Sequence, residues 1–258
     1  MRRRFGLGSL LVLLAAGAFF LLPLVLTGIF SLWQGGSTYN LATYGKVVNT
    51  GAVWTSLLLS LRLTIETAAL SLVLLVPAVI VINLRAPRLR AVLEVIAVLP
   101  FVVPAIALVA GLTTLYTGPS WLIGTANYLV VPYFIITLPY TYRALDIGIA
   151  SLDLRTLTEA SQSLGASWFQ TVVHVVLPNL KAALMGGALL TLTIVMGEYT
   201  FAAILLFRTF AVFIADTGQG AITEAAALSL FSFLITWAAM LGVVFSNRRG
   251  QTALGGAR

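Results

Sequence analysis

The sequence predicts an all-α integral membrane protein, and three observations carry that prediction. Of its 258 residues, 60% are hydrophobic and only 9% are charged, at a mean hydropathy of +1.03. A soluble domain carries about 25% charged residues, so this inventory cannot build a water-facing surface. Six apolar stretches are each long enough to cross the bilayer, since about 30 Å of hydrocarbon takes roughly 20 helical residues. Lys and Arg fall in short clusters between those stretches, which is the pattern of topology signals.

Taken in order, the first span covers about residues 10–32 and is followed by the polar loop GGSTYNLATYGKVVNT. The second, about 56–82, is closed by the basic turn NLRAPRLR. The third, about 91–115, carries Pro100 and Pro104, which should kink it. After the short loop YTGPSWLIGTAN comes the fourth, about 128–145. A long polar connection, about 146–181, precedes the fifth span at about 182–206, and the sixth covers about 222–245. The whole chain, 1–258, reads as a single transmembrane domain.

The cations orient these spans. With a cytoplasmic N-terminus, Arg2, Arg3, Arg4, Arg85, Arg88, Arg90, Arg143, Arg155, Lys181, Arg248, Arg249 and Arg258 share one side. Lys46 and Arg208 take the other, and Arg62 lies within the second span, a bias of twelve to two. Both termini are then cytoplasmic. The start MRRRFGLGSLLVLLAAGAFFLLPLVL could be read as a cleaved signal, with AAGA as the small-residue site. Its apolar run continues well past a signal core, which favours an uncleaved first helix.

Composition also excludes chemistry. There is no cysteine, which rules out disulfides, thiol catalysis and Cys-ligated metals. His174 is the single histidine, so a His-rich metal site is not expected, and a helix-surface place is its simpler reading. The net charge of +7 is spread as topology signals, so it is not read as a nucleic-acid surface. An intramembrane serine protease needs a histidine within the spans, and this one lies in a loop. A stand-alone secondary carrier would show internal duplication, and none is evident.

The connection at 146–181 is too long to be mere linkage. It contains EASQSLGASWFQTVVHVVLP, Glu159 to Pro178. Thr156-Leu157-Thr158-Glu159 fits a capping box at a helix start. Leu157, Ala160, Leu164 and Trp168 then recur at helical spacing. Gly165 suits a helix end, a second helical run begins at Ser167, and Pro178 marks the return to the fifth span. The predicted shape is a short helix, a glycine corner and a second helix at the membrane surface.

These residues resemble the cytoplasmic EAA loop of permease subunits of binding-protein-dependent ABC importers. Glu159, Ala160, Gly165, Leu177 and Pro178 fall on that family's positions, with Ala166 beside them. Ser161 stands for the usual second alanine and Val175 for the usual isoleucine. The resemblance runs from the second span to the end of the chain. It implies a type I ABC importer permease fold, with the loop as a coupling helix that docks in a groove of an ATPase subunit. It further implies a bacterial inner-membrane location and three partners: an ATP-binding subunit dimer, a second permease subunit (similar or identical) and an external solute-binding protein. The chain has no phosphate-binding loop of the form Gly-x4-Gly-Lys-Ser/Thr. It carries no cofactor of its own, and ATP and Mg belong to the partner ATPase.

Ionisable residues inside the spans are costly and mark pairs or paths. Arg62 and Glu66 stand four apart on the second span and can pair on one helix face. Glu198, in GEYTF of the fifth, could line a translocation path with Tyr199, Glu66 and Arg62 and meet a cationic solute. Asp216 and Glu224 flank the last outward loop, as solvated charges or as contacts for a binding protein. The run GEYTFAAILLFRTF looks closest to the spermidine/putrescine branch, which makes a polyamine the first expectation. Ferric iron, thiamine and phosphonate permeases overlap with that branch and stay as alternatives.

Overall fold

The computed structural model describes residues 7–115 and 118–255. Arg2, Arg3, Arg4 and Arg258, used above for orientation, lie outside the described residues. Those described are almost wholly helical, with one isolated antiparallel bridge between Trp33 and Tyr39.

The chain gathers into two compact units. One takes the chain up to Thr55 and adds Phe213–Trp237. It holds α1 (Leu7–Leu32) and α2 (Ala42–Asn49). Between them the Ser31 and Tyr44 hydroxyls meet at 2.7 Å, and Gln34 donates to Thr43 Oγ1 at 2.6 Å. Lys46 faces Glu224 at 3.7 Å, so this carboxylate, in the first turn of the helix that starts at Ile222, has an intramolecular cation.

The second unit takes Ser56–Val212 and the chain from Ala238. It contains most of α3 (Gly51–Arg85), then α4 (Arg90–Val98), α5 (Ala105–Leu115) and α6 (Val130–Ala150). The connection holds α7 (Leu154–Ser163), α8 (Trp168–Thr171) and α9 (Leu177–Asn179), with a π-helical stretch Val172–Val176 joining the last two. There follow α10 (Lys181–Gly197), α11 (Thr200–Ile204), α12 (Phe210–Gly218) and α13 (Ile222–Gly255), the last two crossing between units.

The six expected spans resolve differently. Among the described residues, three helical stretches are long and apolar enough to cross a membrane: Leu10–Leu32, Gly51–Arg85 and Ile222–Gly242. Two bent pairs raise the number to five. The third expected span is one of these, broken by 103° between Phe101 and Ala105, where Pro100 and Pro104 deny the backbone its amides. The fifth bends by 70° at its start, and its helix stops at Gly197 rather than reaching 206. The fourth, α6, is helical over 21 residues but is not among the lipid-type helices. It buries Tyr133, Thr137, Thr141, Tyr142 and Asp146, the composition of a helix enclosed by others. The second span is longer than expected. At 35 residues α3 extends about 52 Å, beyond the hydrocarbon itself.

Two apolar clusters hold the second unit together. The first joins α3 (Leu75, Val76, Val79, Ile80) and α6 (Leu145, Ile149) to Leu154, Val176 and Leu180 of the connection. The second packs Leu63, Tyr133, Val195 and Phe201 at the other end of the helices. Between them α6 and α10 run in close contact through small residues. Thr141 and Thr191 share a buried hydrogen bond of 3.1 Å there. Small side chains let membrane helices approach closely enough for dispersion and hydroxyl contacts.

Candidate functional site

The connecting segment is a built structure. Asp153 caps α7, its carboxylate accepting from the Thr156 amide at 3.1 Å and the Thr156 hydroxyl at 2.7 Å. Those two bonds favour the charged form and hold the Asp153 carboxyl below its ordinary 3.8. The cap expected at Thr156 with Glu159 is therefore displaced by three residues. Sequence alone leaves SLDLRT ambiguous, since Asp and Thr both cap helices. Glu159 lies inside α7 and accepts from Arg155 Nε at 2.9 Å across one helical turn. The capping box does occur, one helix later: the Ser167 hydroxyl accepts from the Gln170 amide and the Gln170 side chain accepts from the Ser167 amide.

Gly165 forms the corner. Its φ of +87° is left-handed, a conformation that costs a residue with a Cβ. The Gly165 amide donates to Gln162 O at 2.9 Å and the Ala166 amide to Ser161 O at 3.2 Å. This is the Schellman arrangement, which satisfies the last carbonyls of the helix. Across the corner the Ser161 and Thr171 hydroxyls meet at 3.1 Å. Both strands of the turn are thus pinned to each other.

Beyond the corner the second helical run does not end at Leu177-Pro178. It passes through both residues and turns only at Leu180. Proline lacks an amide and its ring crowds the carbonyl a turn earlier, and the wider π turn at Val172–Val176 lies where that crowding falls. His174 is exposed on this turn, its Nδ1 at 3.2 Å from Gln170 O.

One face of this structure is buried and the other is not. Leu154, Val176 and Leu180 belong to the first apolar cluster, Thr158 is buried, and Arg85 at the end of α3 sits 4.7 Å over the Trp168 ring. The expected stripe Leu157, Ala160, Leu164, Trp168 is split by the glycine corner: Trp168 packs inward, whereas Leu164 is 90% exposed. Phe169, which the helical spacing did not single out, is 73% exposed beside it. Leu157, Ala160, Ser161, Leu164 and Ala166 line an open groove with a volume near 460 Å³. A rigid helix pair with a buried underside and an apolar top is shaped to be gripped by another protein.

The second group of predicted residues falls into two local arrangements. Arg62 pairs with Glu66 at 3.2 Å and also donates to Asn127. Glu198 terminates α10, and its carboxylate accepts from the Phe201 amide at 3.1 Å, starting α11. The buried Tyr133 hydroxyl has that carboxylate as its polar neighbour, without a well-formed hydrogen bond. Tyr199 is half exposed at the break. No hydrogen bond or ion pair joins Glu198 to Arg62 or Glu66 among the described residues. Sequence reading also missed the bridge between Arg90 and the buried Asp146, 2.9 Å, which ties α4 to α6 beneath the connection.

Comparison with known proteins is consistent with this arrangement. The 2-aminoethylphosphonate transport system permease protein PhnV of Salmonella typhimurium is 27% identical over 244 residues, covering 90% of this chain and 91% of its own. The ferric transport system permease protein FbpB 1 of Haemophilus influenzae is 35% identical over 118 residues, 45% of this chain and 18% of its own. The sulfate transport system permease protein cysT of Prototheca wickerhamii is 33% identical over 114 residues, 39% of this chain and 44% of its own. The family described as binding-protein-dependent transport system inner membrane component matches residues 75–251, from the last third of α3 through the connecting segment into α13. On that match the chain belongs to this family, as an inner-membrane permease component.

Proposed function

We propose that the chain is one permease half of an ABC importer, driven by an ATPase subunit that grips α7 and α8 from the cytoplasm. One observation carries this reading: Leu164 and Phe169 stand out from a helix pair whose opposite face is buried in the membrane helices' own core. A push on such a knob moves α3, α6 and α10 together instead of bending a loop. On this reading α6, α10, the bent third span and the three single spans make six crossings, with both termini cytoplasmic. ATP and Mg act in the partner chain. A second permease subunit completes the path, and an external protein delivers the solute. Glu159, Ala160, Ser161, Gly165, Ala166, Leu177 and Pro178 are the coupling residues, with Arg155 orienting Glu159.

For the solute, a phosphonate replaces the polyamine of the sequence reading. The relative sharing nine-tenths of both chains is named for 2-aminoethylphosphonate, and none of the relatives above is named for a polyamine. Ferric iron remains the alternative, on a shorter match.

The absence of native cysteine makes the test direct. Leu164→Cys should cross-link to the ATP-hydrolysing subunit in membranes, and the yield should change with nucleotide. Capture of no such subunit by cysteines at Ser163, Leu164 or Phe169 would refute the docking. Uptake of labelled 2-aminoethylphosphonate, unaffected by excess spermidine, is expected of the intact system; the reverse competition would return the polyamine.

A further inference from the structure

A second surface of the second unit, which faces the membrane on the six-crossing topology proposed above, has a different chemistry. Glu94 of α4 and Arg143 of α6 face each other at 3.7 Å, and both side chains are more than half exposed. That separation is an ion pair too long for a hydrogen bond, so each group keeps free hydrogen-bonding capacity. Around them lies a cavity near 410 Å³, walled by Val98, Phe101, Tyr140 and Leu190 from α4, α6, α10 and the turn after α4. Phe101 and Tyr140 pack edge to face at 5.4 Å, giving one wall a fixed shape. Apart from tyrosine hydroxyls, the pair supplies the polar groups of this lining.

Exposed charges on an apolar membrane surface need a polar partner, because lipid tails offer none. Arg143 lies seven residues before the end of α6 at Ala150, about 10 Å along the axis. That is the depth of a headgroup boundary for a long side chain reaching outward. A soluble ion fits the pair but not the walls. An alkyl chain fits the walls but not the pair. We infer that Glu94 and Arg143 form a binding site for a phospholipid with an aminoethyl headgroup, its ammonium on Glu94, its phosphate on Arg143 and an acyl chain in the cavity. The primary ammonium donates to the carboxylate, the guanidinium donates to the phosphate, and the net charge of the pair matches the zwitterion. A choline headgroup has no N–H to donate, and a glycerol headgroup leaves Glu94 facing a net anion.

The test uses the intact transporter complex, equilibrated with equimolar aminoethyl, choline and glycerol phospholipids of identical chains, and native mass spectrometry of the lipid retained. The aminoethyl lipid should be retained about tenfold over the other two, the ratio one charge-assisted hydrogen bond can supply. Glu94→Gln with Arg143→Gln should abolish the ranking while leaving the amount of folded complex unchanged. Equal retention of the three lipids by the unaltered protein overturns the inference, as does a ranking that survives in the double variant. Displacement of the lipid by soluble phosphoethanolamine would assign the pair to a free zwitterion and also overturn it. A cysteine at Val98 that cross-links to another permease chain in place of lipid would do the same. None of these outcomes bears on ATPase docking at Leu164.

Discussion

Gly148 of α6 lies against Ala183 of α10 so closely that a Cβ on the glycine would overlap the alanine methyl group. Four residues along α10, a Cβ on Gly187 would stand 3.2 Å from Thr141 Cγ2. These two approaches fix α6 on α10 on both sides of the connection they frame, so α7 and α8 are carried on one rigid pair.

Gly148→Ala should therefore destabilise the protein by about 1–3 kcal/mol, the usual cost of overpacking. Gly186, one residue from Gly187, has open space at its Cβ position. Gly186→Ala should be neutral or stabilising by up to about 1 kcal/mol through helix propensity alone. Thermal midpoints of the two variants in the same detergent decide the matter, and equal midpoints would show that the contact is not tight.

At the corner the cost is conformational, not steric, because nothing lies within 4 Å of a Cβ on Gly165. Gly165→Val should lose coupling to the ATPase, with about 1–2 kcal/mol of left-handed strain that is relieved by opening the turn. Gly165→Asn should retain most coupling, since asparagine tolerates this region. ATP hydrolysis stimulated by the loaded binding protein is the readout, and an equal effect of Asn and Val would point to a lost contact instead.

The Asp153 cap predicts a pH dependence. Its carboxyl is held below the ordinary value when folded, so its contribution is complete above that value and is lost as pH falls through the depressed one. Amide exchange at the start of α7 should be slower in the native protein than in Asp153→Ala from neutral pH down to about pH 4, and the two should begin to converge only below that. A constant difference down to pH 3 would mean the protonated acid caps equally well.

Glu198 accepts from the Phe201 amide, and substitution separates that structural role from the proposed place on the solute path. Glu198→Gln keeps an oxygen for the Phe201 amide, so α11 and the thermal midpoint should persist. Glu198→Ala removes the acceptor and should cost about 1 kcal/mol, as for other caps. If the carboxylate also lines the solute path, Glu198→Gln alone should lower uptake at unchanged ATPase coupling. Unaltered transport kinetics in that variant would leave Glu198 a helix cap and nothing more.

Much of the candidate site was legible because it is local. Gly165 at a corner, Ser167 at a helix start and the Arg62–Glu66 pair all depend on residues within a few positions of one another. Local rules also misled where two residue types compete for one role, as Asp153 and Thr156 do for the cap of α7. Phe169 escaped because nothing in its spacing says which side of a helix pair will be buried.

The membrane class, the apolar spans and the helix–glycine–helix plan of the connecting segment followed from composition, hydropathy and short-range propensity. Those are properties of each stretch of chain by itself. Only the folded molecule decided that Trp168 turns inward beneath Arg85 while Leu164 turns out, and that Asp146 meets Arg90. Each of these depends on which distant helix lies alongside, and a packing contact has no signature in the stretch of sequence that makes it.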